Sequence, residues 1–274
     1  MAAADLLVVI TDLILRQIPI LYYFKFHFLF DIPVCNIHAA LLYAATDCSV
    51  WFTVAFTFDR FVAICCQKLK TKYCTERTAA VVIGIVTVLF SLKNIFWYFM
   101  FTSRYILQKV PWFCVITISV MLSPVWTAIE FLHYILTPCV PFILILMLNA
   151  LTVRHILVTI RIRKRLRVQS SGESDSDPET KNRRKSITLL LVISGNFILL
   201  WALLVVCTMY SRIVILNMLD NDQMLLIIQE LGFMLQLLSC CTNTSIYGVT
   251  QSKFREELKN GLKYPFTLIS KIIK

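Results

Sequence analysis

Charge is scarce in this chain. Asp, Glu, Lys and Arg make up 16% of its 274 residues, hydrophobic residues make up 58%, and the mean hydropathy is +0.73. Soluble domains carry about 25% charge, so a water-soluble globule is excluded. Six glycines and eight prolines leave little room for the many turns of a β-barrel. No CxxC pair and no His-rich tract is present, which leaves a metal site without support. Most of the ten cysteines lie inside apolar runs, where a free thiol acts as a small hydrophobe rather than part of a disulfide scaffold. There is no Ser/His/Asp set, no carboxylate pair and no phosphate-binding loop, so an enzyme is not expected. No signal peptide precedes the first apolar run, which starts at the first residue.

What the chain does have is long apolar runs. Six spans are predicted, at about 2–23, 35–66, 78–101, 131–160, 186–211 and 224–249. Each is long enough to cross a hydrocarbon core of about 30 Å. The expected fold is all-α, a polytopic membrane helix bundle over 1–250, with a basic, disordered loop at 161–185 and a short amphipathic helix and tail at 251–274.

Lys and Arg set the orientation. The 60–77 connection holds five, the 154–185 connection ten and the tail after 250 six, together 21 of the 27. That crowded face is cytoplasmic by the positive-inside rule. The net charge of +11 is therefore a topology signal, and nucleic acid is not an expected partner. On the outer side, Phe113 to Leu122 alternates β-branched and other residues, a pattern suited to a short hairpin over the bundle mouth. On the inner side, RIRKRLR and KNRRK flank SSGESDSDPE, whose serines, with Ser186, suit kinases. In SKFREELKNGLKYPF, Phe254, Leu258 and Leu262 recur at four-residue spacing, the pattern of a helix lying on the inner leaflet.

The stretch Cys48 to Cys66, CSVWFTVAFTFDRFVAICC, runs from an apolar helix into Asp59-Arg60-Phe61 and on to VAIC. It resembles the end of the third helix of rhodopsin-like (class A) G-protein-coupled receptors, with Phe61 in place of the usual tyrosine. The opening MAAADLLVVI resembles that family's second helix, with Asp5 at its buried acidic position. The expectation is six spans of a seven-helix fold, with the first helix missing; a six-helix protein is the alternative. Pro141 sits where the family has a helix-bulging proline, Phe197 and Trp201 fall on its F-x-x-x-W pattern, and Asn243 and Tyr247 on N-P-x-x-Y. Thr244 and Leu203 replace two usual prolines, so the last two helices should be straighter. The usual tryptophan of the third span is absent too. MAAADLLV, SVWFTVAFTFDRFVAIC and TPCVPFILILMLN look most like a small group of orphan peptide- or aromatic-amino-acid-sensing receptors.

The resemblance implies roles for particular residues. Asp59, Arg60, Asn149 and Tyr247 would form the G-protein coupling switch, with Arg60 paired to Asp59 at rest. Arg183 and Arg184 stand where the family often has a second acidic lock, so basal signalling is expected. Val50, Pro141, Phe197 and Trp201 would relay activation, with plain core packing as the alternative. Asp5, Ser49, Ser239 and Asn243 fall where many members hold a sodium ion; a protonated Asp5 bonded to Asn243 and Ser49 is equally open. No other cofactor is implied. Cys35 and Cys114 stand where the family has its disulfide.

Ionisable groups crowd the outer halves of the spans: Asp12, Arg16, Asp47, Lys93, Glu130, His133 and Glu230. Such groups face a bundle interior or a water-filled cavity. With Tyr43, Trp201 and Tyr210 they would line a pocket for a small polar or zwitterionic ligand. The alternative is that Asp12 and Arg16 satisfy each other and that Glu130, His133 and Glu230 lie among headgroups. Leu42 occupies the position of the amine-binding aspartate of monoamine receptors, which disfavours an aminergic ligand. The resemblance thus implies a plasma-membrane receptor whose partners are an extracellular ligand, a heterotrimeric G protein, the bilayer, kinases and arrestin. Its rivals are a transporter or channel, for which no internal repeat or broken helix is found, and a non-signalling remnant.

Overall fold

The computed structural model describes residues 2–18, 32–99, 101–103, 114–116, 123–169, 188, 191–206, 209–210, 223–250, 255–256 and 259–260. Helix α1 runs over Ala2–Val8 and continues as a π-helix over Val9–Gln17. Helix α2 spans Ile32–Cys65 and α3 spans Gln67–Tyr73. Helix α4 covers Glu76–Lys93 and tightens to a 3₁₀ turn over Asn94–Phe99. Helix α5 starts at Pro124, loosens to a π turn at Ile135–Cys139 and runs on to Gln169. Helix α6 is Leu191–Val206 and α7 is Gln223–Thr250.

Three of these helices are long and apolar enough to cross a membrane: Val34–Cys65, Glu76–Phe99 and Pro124–Ile162. Leu191–Val206 and Leu231–Asn243 are shorter apolar helices. Helix α2 is the axis, packed against α1, α4 and α5. Helix α4 sits outermost, and Glu76–Lys93 buries no residue. Its exposed Val81, Ile85, Val88, Leu89 and Leu92 would be an aggregation hazard in water and are at home in lipid.

Local chemistry explains the helix ends and kinks. Thr75 caps α4 by accepting from Thr78 N at 3.2 Å, and Ser123 caps α5 by accepting from Trp126 N, with Pro124 in the first turn. Pro138 lies inside the π turn, and Pro141 follows one turn later. Neither has an N–H, so the helix widens rather than break. In α1 the Thr11 hydroxyl donates to Leu7 O at 2.7 Å, competing with the ladder where the π-helix has begun. Thr53, Thr57 and Thr152 bond back to carbonyls four residues earlier, which satisfies hydroxyls in a dry interior.

Three expectations change, and the 60–77 connection gains a helix, α3, that no expectation addressed. The fourth span begins at Pro124 rather than near 131. RIRKRLR belongs to α5, which runs through Gln169 because Arg, Lys and Leu are good helix formers and no Gly or Pro intervenes. The hairpin pairs β1 (Phe101–Ser103) with β2 (Cys114–Ile116) antiparallel, Phe101 opposite Ile116, so only its second strand lies in the stretch with the alternating pattern. The polar centre of the 161–185 loop, Ser186 and the apolar positions of the tail helix lie outside the described residues.

Candidate functional site

A cavity of about 180 Å³ opens between α1, α2, α5, α6 and α7. Asp12, His38, Thr46, His133, Thr137 and Gln236 are its polar lining; Tyr43, Tyr134, Trp201 and Phe233 are its aromatic walls. Leu42 lines it too. His38 Nε2 donates to the Thr11 carbonyl at 2.6 Å, tying α2 to the irregular turn of α1. Gln236 donates to Thr46 at 3.4 Å.

Of the residues proposed for the pocket, the cavity gathers Asp12, Tyr43, His133 and Trp201. Asp47 is a correction. It is fully buried behind the lining, ion-paired with Lys93 Nζ at 2.7 Å and accepting from Asn94 Nδ2 at 2.6 Å. Glu130 does not line the cavity, and Tyr210 is exposed. The side chains of Arg16 and Glu230 lie outside the described residues.

Lys93 joins three helices. Besides Asp47 on α2 it reaches His133 Nδ1 and Thr137 Oγ1 on α5, each at 3.0 Å. Trp97 Nε1 donates to Asn94 Oδ1 at 2.9 Å, and the Trp97 ring stacks on Tyr43 at 4.0 Å. Lys93 stood out in the sequence only as a charge in a span, and Asn94 and Trp97 not at all. The available signal was a Lys-Asn pair in an otherwise apolar run, needing an acidic partner that Asp47 supplies.

Below the cavity, Trp201 packs on Phe197 with ring centroids 5.5 Å apart. Both belong to one buried cluster with Val50, Val54, Ile145 and Leu204. Phe142 meets Phe197 edge-on at 5.4 Å. Thus α5 meets Phe197 through Phe142 and Ile145, and Pro141 is a buried neighbour on the same helix.

Deeper still, the buried Ser49 hydroxyl donates to Asp5 Oδ1. Asp5 Oδ2, Ser239 Oγ and Asn243 Oδ1 are buried with no hydrogen-bond partner among the described residues. At the inner end of α2, Arg60 Nη2 donates to Asp59 Oδ2 at 2.6 Å, with the guanidinium 5.3 Å from the Phe56 ring centre. Asn149 is buried with its Oδ1 unpartnered among the described residues, and the Tyr247 side chain lies outside them. Cys35 is disulfide-bonded.

An outer cavity, a tryptophan beneath it, a buried carboxylate and an Asp-Arg pair at the inner end lie in sequence along one helix bundle. No curated protein matches the chain. The family model for the 7 transmembrane receptor (rhodopsin family) matches residues 1–247. The chain therefore belongs to the rhodopsin family of G-protein-coupled receptors, multi-pass membrane proteins that signal through G proteins and are not enzymes.

Proposed function

We propose that the outer cavity binds a small polar or zwitterionic extracellular ligand at the plasma membrane and that the inner end of α2 couples this to a heterotrimeric G protein. One observation carries the reading: Trp201 both lines the cavity and packs in the buried cluster with Phe197 and Val50. A ligand that moves Trp201 must repack that cluster, because a close-packed core shifts between discrete arrangements. Val50 lies on α2, whose inner end carries Arg60. Release of Arg60 from Asp59 would open that end to the G protein, with Asn149 and Tyr247 lining the opening. Cys114 is the proposed disulfide partner of Cys35. Kinases and arrestin would act on the serine-rich stretch between α5 and α6.

Asp5, Ser49, Ser239 and Asn243 fit a sodium ion. Hard cations take oxygen ligands, and three buried oxygens here have no hydrogen-bond partner among the described residues. Bound sodium would supply the counter-charge for a carboxylate in a dry interior.

The test is basal second-messenger output of surface-expressed protein, with Arg60→Ala and Trp201→Ala beside it. Output above that of untransfected cells, lost with Arg60→Ala and altered with Trp201→Ala, is expected. Surface-expressed protein whose output equals the untransfected level would count against it and favour a non-signalling member of the family.

A further inference from the structure

We propose that Lys93 is a positioning residue that fixes His133 as an Nε2–H donor facing the cavity, so that this corner takes a carbonyl or carboxylate oxygen of the ligand. The proposal rests on the reading of the cavity as the ligand site. An ammonium group has three N–H donors and no acceptor. Lys93 Nζ meets three acceptors: Asp47 Oδ2 at 2.7 Å, His133 Nδ1 at 3.0 Å and Thr137 Oγ1 at 3.0 Å. Because Nζ only donates, Nδ1 must accept, and the ring proton of neutral His133 is on Nε2. The ring's hydrogen bond among the described residues is made through Nδ1, which leaves Nε2 free, and His133 lines the cavity.

Thr137 is turned the same way. Its oxygen accepts from Lys93, its proton makes no other hydrogen bond among the described residues, and it too lines the cavity. The corner therefore offers one fixed donor, the His133 N–H, beside a hydroxyl that can also donate. The Asp47–Lys93 pair behind them is neutral as a whole, so hydrogen-bond direction does the selecting. An incoming N–H would oppose the His133 N–H and leave it unpaired, whereas the Thr137 hydroxyl, with a second lone pair, can donate or accept.

The surroundings hold this arrangement. Asp47 also accepts from Asn94, which is held in turn by Trp97. The His133 ring meets Tyr43 and Trp97 edge-on, each at 5.3 Å. Asp47 Oδ1 lies 4.0 Å from His133 Nδ1 and has no hydrogen-bond partner among the described residues. Without Lys93, Nδ1 would take a proton to serve that oxygen, and Nε2 would become an acceptor.

The experiment is long-range ¹H–¹⁵N correlation spectroscopy of the full chain in detergent, labelled with ¹⁵N-histidine, with His133 assigned by its loss in His133→Gln. The wild type is expected to show Nε2 protonated and Nδ1 bare. Lys93→Met should move the proton to Nδ1, and Lys93→Arg, which keeps donors, should retain the wild-type pattern. Asp47→Asn with Lys93→Met removes both charges, guards against misfolding of the single variant, and should give a mixture of tautomers. A protonated Nδ1 in the wild type, or an unchanged pattern in Lys93→Met and the double variant, would overturn the positioning role. In the wild type 3-phenylpropionate should shift the Nε2–H signal and 3-phenylpropylamine should not. A shift by the amine, or by neither compound, would overturn the acceptor-oxygen assignment. These spectra need no G protein, so the expected spectra beside silence in signalling would refute the signalling alone.

Discussion

At Gly232 helix α7 lies close against Leu204 of α6, and adding one methyl group there tests the packing of the two helices. A Cβ at Gly232 would lie 2.9 Å from Leu204 Cα, 3.2 Å from its Cβ and 3.3 Å from its Cδ1. The nearest atom is backbone, so no rotamer change in Leu204 relieves the clash, and the helices must separate. Leu204 belongs to the cluster with Phe197 and Trp201, so the strain reaches the cavity floor. Overpacking of this kind costs about 1–3 kcal/mol. Alanine's helix propensity opposes it by about 1 kcal/mol. Gly232→Ala should therefore destabilise by up to about 2 kcal/mol. Gly84 and Gly195 meet nothing within 4 Å, so the same substitution there should bring only the propensity gain. At about 2–4 °C per kcal/mol, Gly232→Ala should lower Tm by up to several degrees and Gly84→Ala should raise it by a few. The assay is thermal unfolding followed with a thiol-reactive fluorophore, since Cys48 and Cys240 are buried in the fold. A Gly232→Ala protein stabilised as much as Gly84→Ala would refute the close approach.

Other outcomes follow from the same structure. Lys93→Met strands a fully buried Asp47 and should cost about 3–5 kcal/mol. Adding Asp47→Asn should restore most of that in the same unfolding assay, and equal loss in both variants would count against the ion pair. Sodium chloride should raise Tm relative to choline chloride, and Asp5→Asn should abolish the difference; a sodium effect that survives Asp5→Asn would remove Asp5 from the site. Cys74, between α3 and α4, has its thiol pushed above the ordinary value by burial, by its contact with the Asp59 carbonyl at 3.7 Å and by the Asp59 charge. Its thiolate fraction at a given pH is therefore lower than in a free cysteine. Peptide-resolved alkylation should show its rate rising at higher pH than for cysteine in an unfolded peptide, and coincident profiles would contradict the burial.

What the sequence made legible is what depends on neighbours along the chain. A span such as Val34–Cys65 declares itself by a local run of apolar residues, and Asp59-Arg60 by its place at the end of that run. The ion pair of Asp47 and Lys93 does not, because 46 residues separate them and only the packing of α4 on α2 joins them. Asp47 was read as a pocket wall for that reason: an acid in a span is either a ligand contact or half of a buried pair, and its own helix cannot say which. His133 was legible as polar in an apolar helix, but not its tautomer, which is set by Lys93 on another helix.

The same distinction explains why the ligand's chemistry is written where single-span patterns fail. A span needs only apolar residues to cross a membrane, so α4 could have carried Leu at 93 without loss to its own span. It carries Lys instead, and desolvating Lys93 with Asp47 is costly unless both are closely hydrogen-bonded. Here they are, through Asn94, His133 and Thr137. Two of those partners line the cavity. A charge pair serving stability alone would be matched by apolar residues of similar volume. What apolar residues could not do is hold an imidazole nitrogen as an acceptor on one side so that it must donate on the other.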